Sequence, residues 1–319
     1  MNILKGILKV IGFIVLVIII LVICVVAIFS YRSENYYKYL KTDENLEKKY
    51  SELGAYDVSY KSIEADSDIW KEYVIYYPTE LENSSDKYPV VVVANGTGIT
   101  ATKYKTFFKH LASWGFIVIG NEDENSRNGE SSSMSLDYIL KLNEDKNSVF
   151  YNKVDIENIG IKGHSQGGVG AINAINNWDN GNMYKVLYTA SITSHYHSKE
   201  LGDDWGYNET KITIPYFFIA GTGGWDSGSA TSISDMENPQ GISPLYAMNN
   251  TYNNIKSEYK VMGRLVNVDH GDTFKQADGY MTAWFLWHLQ SNTEASKVFL
   301  GDDAEILNNK RYQDVLKSF

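Results

Sequence analysis

The chain has 319 residues, 44% of them hydrophobic and 21% charged, which excludes disorder as its main state and allows one large domain or two small ones. Its formal net charge of -10 is unevenly spread: residues 1–41 carry Lys5, Lys9, Arg32, Lys38 and Lys41 against Glu34, so that end is +4 and the rest is -14. An acidic body of that size repels phosphates and excludes nucleic acid as a partner.

From Val10 to Phe29 the chain runs twenty residues without a charge, a length that spans the hydrocarbon of a bilayer as a helix. Backbone groups in lipid must pair within the segment, so it is expected to be helical despite its many β-branched residues. Ala27 and Ser30 make a poor signal-peptidase site, and Ile23 before Cys24 is too large for a lipoprotein box. Retention as a single-pass membrane anchor follows. Lys5 and Lys9 lie beside the run and only Arg32 is equally close beyond it, which places the N-terminus in the cytoplasm and the body outside. Cys24 is the only cysteine, so neither an intramolecular disulfide nor a cysteine zinc cluster can form.

Residues 31–60 are polar and rich in tyrosine and lysine, and read as a partly helical juxtamembrane stalk following an anchor over 1–30, or as the outermost edge of the domain. Residues 61–319 read as a single α/β domain, because strand-like and helix-like runs then alternate as they do around a parallel sheet. Trp70–Tyr77 is expected as an antiparallel strand. Val90–Ala94 (VVVVA) has the continuous apolar run of a strand buried on both faces. A helix over Tyr104–Trp114, a strand over Phe116–Ile119, a helix over Ser135–Leu142 and a strand over Ile159–Lys162 follow. Next come a helix of small residues over Gly167–Asn176 and strands over Val186–Ile192, Tyr216–Ala220 and Val261–Val268. An aromatic helix over Tyr280–Leu289 and a polar amphipathic one over Ala304–Leu316 close the chain.

The sharpest motif is Gly163-His164-Ser165-Gln166-Gly167-Gly168, directly between a strand and a helix. A G-x-S-x-G run in that place is a nucleophile elbow. Ser165 must sit on a strained turn that lifts its hydroxyl above the sheet, and glycines at 163 and 167 remove the clash between the flanking backbones. The helix N-terminus then points partial positive charge at the position where an oxyanion forms. A glycine-rich turn whose serine caps the helix is the plain alternative.

A serine hydroxyl needs a base, and histidine suits that role near neutral pH. Of six histidines, His164 lies inside the elbow and points away from the base's position, and His110 and His288 fall within helical patterns. His270, in Asn267-Val268-Asp269-His270-Gly271-Asp272 just past the last expected parallel strand, is the assigned base, with His195 as the alternative. The acid belongs on the loop after the preceding strand. There Gly221-Thr222-Gly223-Gly224-Trp225-Asp226 supplies Asp226, with Asp235 as competitor; the order Ser165, Asp226, His270 is that of the α/β-hydrolase fold. For the oxyanion hole the backbone N–H of Gln166 is one expected donor and that of Thr97, in Asn95-Gly96-Thr97-Gly98, the other.

Taken together, the run Tyr88–Asn121, the GHSQGG elbow, the Asp226 loop, VDHGD and the closing TAWFLWHLQSNTEASKVFLG resemble the cutinase-like, polyester-hydrolase and chlorophyllase group of α/β-hydrolases over most of residues 70–301. The resemblance implies hydrolysis of carboxylic esters through an acyl-enzyme, with no metal and no cofactor. It does not extend to the N-terminal helix. Asn95 stands where the group often has histidine or proline, and the acid loop is longer. The expected substrate is a small-molecule, lipid or polymer ester, and Trp225, Tyr196 and Phe107 would suit an apolar acyl chain. A serine peptidase or acyltransferase on the same triad, or a binding module that kept only the fold, are the competing readings.

Overall fold

The structure, a computed structural model, describes residues 2–227 and 241–319. It divides into two compact units, Met1–Leu40 and Lys41–Phe319.

The first unit is helix α1 (Asn2–Glu34) followed by a short turn over Tyr36–Lys38. Within its stretch Lys5–Glu34 an 18-residue window reaches a mean hydropathy of 3.7 and is not buried in protein. A helix apolar on every side is stable only where something other than water covers it, and this one is long enough to cross a bilayer. Such a helix at an N-terminus serves as an anchor or as a signal sequence.

The second unit is one sheet of nine strands in the order β1-β2-β4-β3-β5-β6-β7-β8-β9. Here β1 is Val58–Glu64, β2 Glu72–Pro78, β3 Tyr88–Ala94, β4 Ile117–Asn121, β5 Val154–His164, β6 Tyr184–Ala190, β7 Tyr216–Gly221, β8 Lys260–Leu265 and β9 Tyr312–Lys317. Strands β3 to β8 are parallel, and the antiparallel β1, β2 and β9 close the two edges. Every residue of β3 is buried, as its valine run foretells. Val91 and Val93 face one core and Val90 and Val92 the other, and each is worth roughly 1.5–3 kcal/mol. The first core is covered by α3 (Lys105–Ser113) and α10 (Asp278–Gln290), the second by α4 (Glu130–Glu144) and α5 (Gln166–Asn177). Both faces of the sheet are therefore dry, which is what a parallel sheet requires.

One expectation is corrected. Residues 304–316 are not a helix: one helical turn over Glu305–Asn308 leads into strand β9, antiparallel to β8. Its apolar residues (Ile306, Tyr312, Val315, Leu316) fit either period. The pairing of β9 with β8 shifts register between Met262 and Arg264, and Asp314 in the facing stretch has φ 54°. Residues 41–60 group with the second compact unit and form part of its outer edge. Helix α2 (Asn45–Ser51) buries Tyr50 completely, and its Glu47 carboxylate accepts from Asn309 (2.8 Å) and from Arg311. Glu305 returns the tie by accepting from the N–H groups of Leu46 (2.9 Å) and Glu47 (2.8 Å) at the helix start. These partners lie some 260 residues away, so no local pattern reveals them.

Candidate active site

Because β5, β6, β7 and β8 are adjacent and parallel, the residues following them emerge along one edge of the sheet. Ser165 follows β5, Ser191 follows β6, Asp226 follows β7, and His270 follows β8.

Ser165 has φ 57° and ψ -124°, a strained backbone costing about 1–3 kcal/mol that its surroundings must hold. Its N–H donates to Ala190 O (3.0 Å) and its carbonyl accepts from Gly168 N–H (2.9 Å). The flanking glycines are obligatory. A Cβ at Gly163 would lie 2.0 Å from Gly167 O, and one at Gly167 would lie 2.2 Å from Ala94 O. Gln166 is the first residue of α5, so its N–H has no carbonyl four residues back to bond. Its side chain donates to Thr97 Oγ1 (3.2 Å), linking the elbow to the loop after β3. In that loop Gly96 N–H donates to Tyr104 OH (3.3 Å) and Gly98 N–H to Glu124 O (3.1 Å). Asn95 is buried, and its amide donates to Asn121 O (2.7 Å) and Asp123 O (2.8 Å). The residue that departs from the resembled group thus pins the loop to the end of β4.

Asp226, at the start of the short helix α7 (Gly224–Ser227), is fully buried. His270 Nδ1 donates to its Oδ1 at 2.7 Å, which leaves Nε2 facing away from the carboxylate. The other oxygen, Oδ2, accepts from Ser191 Oγ (2.5 Å) and Gly221 N–H (2.6 Å), so both carboxylate oxygens are committed and the carboxylate cannot rotate freely. Thr273 Oγ1, 2.7 Å from Ser191 Oγ, extends the network.

His164 takes part in a way its position in the elbow does not announce. Its Nε2 donates to His270 O (2.8 Å), and the two rings are 4.9 Å apart. Burial, reinforced by the charge on His270, pushes its pKa down to about 3, so it remains a neutral donor. Thr273 Oγ1 donates to the same carbonyl (3.0 Å). Ser191 and Thr273 belong to no motif and His164 stands at a variable position of the elbow, so none announces a role in the sequence; each is recognised only by the groups it bonds in the folded chain.

The remaining candidates lie elsewhere. His195, in α6 (His195–Leu201), bonds Glu209 Oε2 at 2.5 Å and stacks on Tyr207 with centroids 3.9 Å apart. His110 is buried against Asp278 (2.9 Å), and burial pushes His288 down to about 3. Asp235 lies outside the described residues. Trp225 is exposed, Tyr196 half-buried, and Phe107 is corrected to a core residue, its ring 3.2 Å from Lys162 Nζ. A cavity of about 290 Å³ lies beside the end of β4, lined by Trp70, Asp123, Arg127, Ser131 and Asp204 among others, and contains none of Ser165, Asp226 or His270. Among the described residues no group of three or more His, Cys, Asp or Glu side chains could hold a metal.

Residues 42–190 match the family described as PET hydrolase-like, α/β-hydrolases acting on polyesters. The match takes in the loop after β3 and the elbow, and ends before Asp226 and His270. Among curated proteins no match is found.

Proposed function

Because residues 42–190 match the PET hydrolase-like family, we propose that the chain cleaves carboxylic esters by a Ser165–His270–Asp226 triad through an acyl-enzyme. The observation that carries this is the 2.7 Å bond from His270 Nδ1 to the buried Asp226 carboxylate, on the same sheet edge as a strained Ser165. With Nδ1 protonated and held, His270 Nε2 is the basic nitrogen that takes the Ser165 hydroxyl proton as the oxygen attacks the ester carbonyl. The imidazolium so formed is stabilised by Asp226, whose full burial strengthens that attraction. Charge developing on the carbonyl oxygen is met by the N–H groups of Gln166 and Thr97; those of Gly96 and Gly98 are already spent on Tyr104 and Glu124. Collapse expels the alcohol, protonated by His270. Water then repeats the sequence to release the acid.

The N-terminal helix is proposed as a retained anchor with the hydrolase unit outside the membrane, supported by its length and the two lysines at its start. A lipid, small-molecule or polymer ester is the substrate class that fits. Hydrolysis of short p-nitrophenyl esters tests the activity. Wild-type turnover that falls by about 10³-fold or more in Ser165→Ala supports the proposal. Peptide cleavage without ester cleavage, or unaltered ester turnover in Ser165→Ala, overturns it.

A further inference from the structure

The triad's acid and base sit on separate loops, and their mutual distance depends on those loops being held in register. The register begins with the parallel pairing of Gly221 in β7 with Leu265 in β8. Past the strand ends the loops stay joined: Thr222 N–H donates to Leu265 O (3.0 Å), Gly223 N–H to Val268 O (2.8 Å), and Asn267 N–H to Thr222 Oγ1 (2.8 Å). Beyond Val268 no backbone–backbone hydrogen bond joins the two loops among the described residues, and one side chain takes over. Asp269 Oδ1 accepts from the N–H groups of Trp225 (3.0 Å), Asp226 (3.2 Å) and His270 (2.8 Å), while Oδ2 accepts from Trp225 (3.3 Å).

We propose that Asp269 is a positioning residue that clamps the backbone of the acid, Asp226, to the backbone of the base, His270; this rests on the triad reading above. One oxygen reaches the peptide N–H of both residues, so the separation of their α-carbons is fixed by hydrogen bonds independent of the Asp226–His270 bond itself. The acid loop is built to admit it: a Cβ at Gly223 would lie 2.4 Å from Asp269 Cβ and 2.4 Å from its Cγ. Glycine there lets the carboxylate tuck under the start of α7, where the N–H groups of Trp225 and Asp226 have no helical acceptor. The base loop is held from its other side as well, since His164 and Thr273 bond the carbonyl of His270. His270 thus has its N–H fixed by Asp269 and its C=O fixed by the elbow.

A clamp of this kind acts on geometry, not on substrate affinity. In Asp269→Ala the loops lose the shared acceptor, and kcat falls about 10–100-fold with KM changed less than threefold, the cost of a misplacement near 1 Å. In Asp269→Asn the Oδ1 acceptor survives without the charge, and kcat stays within about fivefold of wild type. A second measurement does not depend on turnover: the strongly downfield proton resonance of His270 Nδ1–H in the full-length protein in detergent. It is expected in wild type, in Ser165→Ala and in Asp269→Asn, and expected to broaden or vanish in folded Asp269→Ala. An unchanged resonance in Asp269→Ala overturns the proposal, as does Asp269→Asn failing as badly as Asp269→Ala. Should wild type hydrolyse no ester while the resonance behaves as stated, the esterase reading falls and the clamp stands.

Discussion

Lys162, three residues before the proposed nucleophile, is a charged side chain in a dry core, and replacing it with methionine should stabilise the protein. Its Nζ lies over the Phe107 ring at 3.2 Å, with the Tyr104 and Phe274 rings about 6 Å away, and it makes no hydrogen bond among the described residues. Burial pushes its pKa from 10.5 down to about 7, and Asp278 only partly opposes that. A folded-state value below the unfolded one means that the unfolded chain binds more protons between pH 7 and 10.5. Stability therefore rises with pH across that window, and the full penalty is present below pH 7. At pH 8.5 two pH units separate the solution from the unfolded value, so at about 1.4 kcal/mol per unit the native state gives up roughly 3 kcal/mol. Methionine fills the same volume without that cost, and at pH 8.5, where an amine of pKa about 7 is largely neutral, it forfeits little ammonium–ring attraction. Lys162→Met should thus gain about 1–3 kcal/mol at pH 8.5, with the gap growing towards pH 7 and closing towards pH 10.5. Urea unfolding followed by tryptophan fluorescence at several pH values measures it. A variant less stable than wild type at pH 7 would show that the ammonium is a net stabiliser and that the desolvation reasoning is wrong.

Two further outcomes follow from the fold. A chain of residues 41–319 should be folded and retain activity, whereas 61–319, lacking α2 and the start of β1, strips the partners from Arg311 and Asn309, uncovers the core around Tyr50, and should unfold or aggregate; circular dichroism and gel filtration distinguish them. His164 and His288, both held near 3 by burial, take up protons on unfolding below about pH 6.5, so acid should destabilise the fold by about 2 kcal/mol per histidine at pH 5. Urea unfolding at pH 7 and pH 5 reads that loss, and His288→Leu should remove part of it.

How much of this was legible in the sequence depended on distance along the chain. The valine run of β3 and the elbow are local signals, since buried strands need continuous apolar residues and a strained turn needs glycine on both sides. The loops bearing Asp226 and His270 follow from strand order alone, because parallel neighbours deliver their ends to one edge. By contrast, β9 was misread because apolar spacing around an irregular edge strand mimics a helical stripe. The contribution of α2 to the body depends on Asn309, Arg311 and Glu305, which nothing near residue 47 hints at. Ser191 and Asp269 were unreadable for the same reason: a serine or aspartate declares a role only through the groups it meets in three dimensions.

The proposed function depends on the residue 165 hydroxyl being made nucleophilic by the residue 270 imidazole, and covalent capture measures that directly. A fluorophosphonate probe with intact-mass and peptide readout should add one label to the wild-type protein, at Ser165. Labelling should disappear in Ser165→Ala and slow by orders of magnitude in folded His270→Ala. Wild-type protein that takes no label, or that labels as fast without the imidazole, would contradict the assignment.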